Sequence, residues 1–213
     1  MPSYDLVTPI SEQDVRSLRV GDTVYLSGVI VTARDAAHKY MAETFIYPES
    51  IPDAERKLYK TLQHHLDGGV LYHCGPIVRR TADGSWEFVS AGPTTSIREE
   101  VYEPAVIQHF GVRGIIGKGG MGGETLGALQ ERGAVYLHAV GGAAALIADS
   151  VDQVLAVYKR VEFGTPEAFW VIRVNRLPLV VTMDSCGGSL HRYVADAAQE
   201  VLDRLISGVV HAS

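Results

Sequence analysis

Between Gly92 and Gly123 the chain carries two glycine-bearing turns on either side of one short apolar run. The first turn is Gly92-Pro93-Thr94-Thr95-Ser96, with Arg98 just beyond it, and the second is Gly117-Lys118-Gly119-Gly120. The run between them, Val112 to Ile116, is long enough for one buried strand and too short for a typical helix. Glycines let a backbone approach a ligand closely, and short hydroxyl side chains bind an oxyanion or cap a helix. Two cations beside such turns suit a small anionic ligand. The stretch therefore predicts a strand flanked by ligand-facing loops, and the rest of the chain must supply its neighbours.

A chain of 213 residues with 46% hydrophobic and 21% charged residues has the balance of a soluble globular protein and the length to bury a sizeable core. We read residues 1–213 as one domain, since no linker marks a boundary. The formal charge of −6 argues against nucleic acid as a partner, which needs a basic face. No apolar run reaches the roughly 18 residues of a membrane span. The N-terminal Met-Pro-Ser-Tyr-Asp lacks the pattern of a secretory signal, so the expected location is the cytoplasm. Cys74 and Cys186 are the only cysteines, too few for a disulfide framework or for a cubane iron–sulfur cluster. The eight histidines show no metal-binding spacing, so we assign no metal ligands here. A metal used by this protein must come from another chain.

The local patterns alternate between strand and helix. Ser11 caps a short helix stopped near Gly21, and Thr23 to Thr32 reads as a strand with Gly28 as a bulge. Arg34-Asp35-Ala36-Ala37-His38-Lys39 opens a helix through Met41, and Glu55 to Leu66 forms an amphipathic one. Val70 to His73 is a strand, and Asp83-Gly84 turns a hairpin between 77–81 and 85–90. Ser96 to Glu103 reads as an irregular turn, followed by a helix from Pro104 to Phe110. Thr125 to Arg132 is a helix, Ala134 to Val140 a strand, and Ala143 to Asp149 a small-residue helix. Val154 to Phe163 fits either state, while 169–174 and 179–183 read as separate strands. Leu190, Val194, Ala197, Val201 and Leu205 mark an amphipathic helix over Leu190 to Ile206. The order predicts an α/β fold with a mixed sheet whose first half is partly antiparallel.

Taken singly, each motif has an ordinary reading. Gly117-Lys118-Gly119-Gly120-Met121-Gly122 has the G-x-G-x-x-G spacing of a dinucleotide site, but no carboxylate stands at the end of the next strand to hold a ribose. A nucleotide-binding or regulatory module remains the alternative from a different class. Arg34-Asp35 reads as a surface ion pair, His38 as a helix-surface histidine, Cys74 and Cys186 as small packing residues, and Asp184 as part of a turn. In conjunction, however, Arg34, Arg98 and Lys118 each follow a predicted strand or turn edge, where α/β sheets place ligands.

The segments Val31 to Lys39, Gly75-Pro76-Ile77-Val78, Gly92 to Arg98, Ile116-Gly117-Lys118-Gly119 and Val140 to Ala145 resemble the β subunit of class I fumarases and L(+)-tartrate dehydratases. The likeness runs in order from Thr8-Pro9-Ile10 to Asp184-Ser185-Cys186-Gly187; one departure is Gly187-Gly188, where that family often has Gly-Asn. The resemblance implies a swivelling β/β/α domain with a mixed sheet. It implies a partner α subunit carrying a [4Fe–4S] cluster on its own cysteines, and a homodimer within a heterotetramer. It further implies that Arg34, Arg98 and Lys118 hold the carboxylates of a four-carbon diacid and that Thr94 transfers the proton. Fumarate hydration to malate is the expected reaction, with tartrate dehydration the second reading.

Overall fold

In a computed structural model that describes residues 2–210, with side chains described through residue 207, seven strands form one mixed sheet. They are β1 (Ser3–Val7), β2 (Thr23–Thr32), β3 (Val70–Tyr72), β6 (Gly114–Gly117), β7 (Val135–His138), β8 (Val151–Tyr158) and β9 (Phe169–Met183). The strands β4 (Ile77–Arg80) and β5 (Trp86–Ser90) form a separate antiparallel hairpin. Strands β2, β3, β6 and β7 run parallel in that order. Strand β9 then pairs antiparallel with both β7 and β2, which closes the five into a small barrel-like ring. β1 and β8 extend the ring as outer strands on β2 and β9.

Period-two alternation in these strands builds two cores. Ile30, Val70, Tyr72, Ile116, Val135, Leu137, Trp170 and Ile172 face one side, where the hairpin's Phe88 packs edge-on against Trp170 at 5.7 Å. Their neighbours Val31, Leu71, Ile115, Tyr136 and Val171 face a layer of four helices. These are α2 (Asp35–Met41), α3 (Arg56–Leu66), α4 (Glu103–Phe110) and α5 (Gly123–Arg132). Leu58, Leu62 and Leu66, the stripe that marks α3 in the sequence, are all buried there. The short helices α1 (Glu12–Ser17) and α6 (Ala144–Ala148) bury Val15, Ile147 and Ala148 against the other side.

Several sequence expectations change. The first half is partly antiparallel as expected, through the β4–β5 hairpin, while the antiparallel pairings of the main sheet come from β8 and β9 in the second half. The two short strands expected over 169–174 and 179–183 are one strand of 15 residues. A bulge carries it past the interruption: Asn175 and Arg176, the latter at φ 49°, stand opposite Ser27 where the register slips at Gly28. The ambiguous stretch divides at Lys159 into β8 and a single turn, α7 (Arg160–Phe163). The irregular turn after Thr95 is a 3₁₀ turn, Ser96–Glu99, before α4 begins at Glu103. The last helix, α8 (Leu190–Val210), forms as its periodicity predicts, yet the apolar stripe among its described residues stays exposed. Leu190, Val194, Val201, Leu205 and Ile206 are 40–63% exposed. Among the described residues no helix is long and apolar enough to cross a membrane.

Candidate active site

The carboxyl ends of the parallel strands converge on one edge of the barrel. β2 ends at Thr32 and delivers Arg34 to the N-terminus of α2, where the main chain is extended (φ −129°, ψ −161°). β3 leads into His73, Cys74 and Gly75, and β6 into Lys118. The loop after β5 lies between these two. Thr94 donates its backbone N–H to the His73 carbonyl (2.7 Å), and its own carbonyl accepts from Lys118 (3.2 Å). Ser96 then donates back to the Lys118 carbonyl at 3.1 Å, so the two glycine turns are laced together. The Lys118 stem runs past Gly141, whose added Cβ would lie 3.7 Å from Cδ.

Arg34 does not pair with its neighbour Asp35 as its sequence position suggests. Its guanidinium lies 3.3 Å from Glu167, while Asp35 pairs with Arg98 across the loops. The Arg34 Nε is buried and has no partner. Gly75 makes room for this side chain, since a Cβ there would fall 2.5 Å from the Arg34 guanidinium. Arg98 is half-exposed at the rim. The four residues singled out in the sequence thus lie on adjacent loops at one edge: Arg34 beside the β3 loop, Thr94 and Lys118 in the laced turns, Arg98 on Asp35. Three cations, Arg34, Arg98 and Lys118, stand here against two carboxylates, Glu167 and Asp35, an arrangement that suits an anionic ligand.

Beneath these loops lies a buried polar chain that the sequence did not reveal. His38 is fully buried on the inner face of α2 rather than at a helix surface. Its Nε2 and that of His73 both lie 2.9 Å from the same oxygen of Glu103, Oε2. His73 Nδ1 lies 2.8 Å from Ser96 Oγ, itself 2.8 Å from the Tyr136 hydroxyl. Gly117 is required here by close approach, because a Cβ at that position would fall 1.9 Å from Ser96 Oγ. Burial opposes charge on Glu103, but the two histidines overcome it and hold the carboxyl at about 2. Burial likewise opposes charge on His38, yet the Glu103 charge and hydrogen bond leave its affinity for a proton raised. In His73 burial wins and the pKa is lowered. The ligand-type atoms of His38, His73 and Glu103 lie within 4.8 Å of one another. Their 2.9 Å contacts are hydrogen-bond lengths, longer than the roughly 2.0–2.2 Å of bonds to zinc. One sequence signal points to Glu103. It begins α4 ahead of Val106, Ile107 and Phe110, and a carboxylate facing that core demands a partner.

The G-x-G-x-x-G loop is occupied from within. Glu100 accepts from the backbone N–H of Gly122 (2.7 Å) and of Thr125 (3.1 Å), and from the Thr125 hydroxyl (2.7 Å). These are the donors at the start of α5 that a bound pyrophosphate would use.

The family model described as "Fumarase C-terminus" matches residues 2–194. The chain belongs to this fumarase C-terminal family. It is 45% identical over 199 residues to a putative fumarate hydratase class I of Geobacillus stearothermophilus, covering 93% of this chain and 35% of that one. It is 42% identical over 198 residues to a putative L(+)-tartrate dehydratase subunit beta of Methanocaldococcus jannaschii, covering 92% and 95% of the two chains. The L(+)-tartrate dehydratase subunit beta of Escherichia coli K12 is 39% identical over 186 residues, 87% of this chain and 85% of its own. The chain therefore spans about a third of the fumarate hydratase relative and most of the tartrate dehydratase subunits. The family's matched region ends five residues into α8, so most of that helix lies beyond it.

Proposed function

We propose that this chain is the β subunit of a hydro-lyase that adds or removes water across a four-carbon dicarboxylate, with fumarate and malate as its substrate pair. The observation that carries the reading is the cluster of Arg34, Arg98 and Lys118 around Thr94 in a chain of the fumarase C-terminal family. The Arg34 guanidinium is partly exposed with its buried Nε unpaired, so a turn away from Glu167 would offer a substrate carboxylate a planar fork. Lys118 adds a point charge from the neighbouring turn. Arg98 exchanges Asp35 for the second carboxylate at the rim. As the carbon next to a carboxylate loses its proton, negative charge builds on that carboxylate, and fixed cations lower the barrier most when aimed at developing charge. Thr94 Oγ1 is the proposed site of proton transfer. A hydroxyl is a weak base, so it works with a neighbouring cation.

The residues of this chain do not fit an iron–sulfur cluster. Such clusters take three or four thiolates, whereas Cys74 is buried in the barrel with its thiol pushed up by burial to about 12, and Cys186 sits in an exposed turn. In our reading the [4Fe–4S] cluster belongs to an α subunit facing the Arg34 edge, in a cytoplasmic complex where each partner contributes half of the site and this chain also pairs with its own copy. The β/β/α arrangement would act there as a swivelling domain of residues 1–213.

The near full-length match to two tartrate dehydratase subunits favours L(+)-tartrate as the second reading. A single added hydroxyl is accommodated by small changes in a pocket. Anaerobic co-expression with a cluster-bearing partner, followed by assays with both diacids, separates the two. We expect kcat/KM to favour malate and fumarate, and activity to require the partner. A preference for tartrate would assign the second reading. Turnover by this chain alone, without iron, would remove the proposal.

A further inference from the structure

The hydrogen-bond geometry under the loops, with Glu103 held ionised, points to where the protons reside. A carboxylate and a backbone carbonyl only accept hydrogen bonds. His38 Nε2 faces Glu103 Oε2 at 2.9 Å, and its Nδ1 faces the Arg34 carbonyl at 3.0 Å. With Glu103 held ionised by its two histidines, both ring nitrogens carry protons, which makes His38 an imidazolium. His73 Nε2 also donates to Glu103, and because burial lowers its affinity for a proton its Nδ1 takes the acceptor role towards the Ser96 hydroxyl, with Tyr136 donating to Ser96. His73 is accordingly neutral. One proton beyond neutral rings, one carboxylate charge and one direction of donation describe the whole chain.

The surroundings agree with this assignment. The charged and titratable groups facing His38 are Glu103 from α4, Glu99 from the 3₁₀ turn, His73 beyond β3 and Arg34 at the start of its own helix. Glu99 is fully buried and neither of its carboxyl oxygens has a partner, and burial raises its pKa. Glu103 is therefore the carboxylate that balances His38. The network also touches both substrate loops through the main chain. His38 holds the Arg34 carbonyl, and the His73 carbonyl holds Thr94.

We propose that the buried His38 imidazolium and Glu103 carboxylate form the positioning pair of this site, locking the loop of Arg34 to the loop of Thr94 and Lys118. The inference rests on the diacid reading for its catalytic consequence, but not for its protonation pattern. Neither His38 nor Glu103 touches substrate in this account; they act through Arg34 and His73.

Two measurements test it. In the 15N-histidine-labelled chain, long-range 1H–15N spectra distinguish imidazolium from the two neutral tautomers, with assignments from His38→Gln and His73→Gln. We expect His38 to remain an imidazolium past the ordinary histidine value and His73 to remain an Nε2–H tautomer. A neutral His38 near pH 7 overturns the proposal. So does one equivalent of zinc retained after dialysis against a chelator, which would make the cluster a metal site. In the enzyme assembled with its partner, Glu103→Gln should raise KM for the diacid about tenfold with kcat changed less than about threefold, because the anchors of the carboxylates shift. Glu103→Asp should recover part of that loss. An unchanged KM in a folded Glu103→Gln enzyme overturns the positioning role. If the wild-type assembly turns over neither diacid, the functional reading fails, and the spectra still decide the buried imidazolium.

Discussion

The starts of α2 and α5 invite the same reading and turn out differently. Each helix follows a parallel strand, and each has a cation near its first turn, Arg34 before α2 and Lys118 before α5. At α5 the glycine loop matches a nucleotide fingerprint, but Glu100 already accepts from Gly122 and Thr125. At α2 no such fingerprint exists. Glu167 accepts from the Ala36 N–H at 3.1 Å, yet the Arg34 Nε is left without a partner. Spacing alone identifies a loop that can approach an anion. The proposal for α2 over α5 rests on the donor that Arg34 leaves unpartnered, where Glu100 leaves none at Gly122 and Thr125.

The largest expected effect separates the supports of the two helices. Glu103, beneath α2, titrates at about 2 in the fold against an ordinary value of 4.5. A depressed carboxyl contributes stability that is fully present above its unfolded value and lost as pH falls through the folded one. Unfolding free energy should therefore fall as the pH drops from about 4.5 towards about 2, by roughly 3 kcal/mol from this group, as acid denaturation followed by circular dichroism would show. On the alkaline side the sign reverses for His38. Its raised pKa gives stability complete below about 6.5 that is lost as pH rises through the folded value. His73, held neutral, opposes folding only below that same ordinary value. An acid transition identical in wild type and Glu103→Gln would place the buried charge elsewhere.

Next in size is Arg34→Lys, which keeps the charge and loses the fork. We expect kcat/KM of the assembled enzyme to fall about 100-fold, whereas an Arg→Lys change at exposed Arg79 should pass unnoticed. Lys118→Ala should lower kcat/KM by about tenfold, mainly through KM, since a point charge is removed without an unpaired group left behind. If both variants retained normal kcat/KM, these loops would not be the diacid site. The smallest effect is at the other helix. Glu100→Ala removes the internal cap of α5 and should reduce stability by about 1 kcal/mol, read as a lower thermal midpoint, with kcat/KM unchanged. A gain of nucleotide affinity in that variant would show that Glu100 masks a nucleotide site.

The contrast between legible and hidden features has a common physical cause. Strand β2, helix α3 and the Asp83-Gly84 hairpin are announced by periodicity and turn chemistry within a dozen residues. Strand β1 is not, because Ser-Tyr-Asp-Leu-Val buries only Leu6 and owes its pairing to β2. Thr94, Arg98 and Lys118 are marked by glycine turns, Arg34 by the end of a strand, and all four by likeness to a family. His73 and Glu103 were hidden because their partners lie far along the chain, 30 residues apart from each other and 65 between His38 and Glu103. Periodicity reports which face of α4 is buried, but not which distant side chain makes a charge there tolerable. The exposed stripe on α8 is the converse, legible in the sequence but without a packing partner among the described residues.

The most direct test of the central claim is an amide-resolved titration of the 15N-labelled chain with malate. The account predicts weak binding with shifts confined to Arg34, Thr94 to Arg98 and Lys118 to Gly119, and silence at Gly122 to Thr125, where Glu100 holds the donors. Shifts centred on Gly122 to Thr125, with the Arg34 and Thr94 loops unmoved, would contradict it.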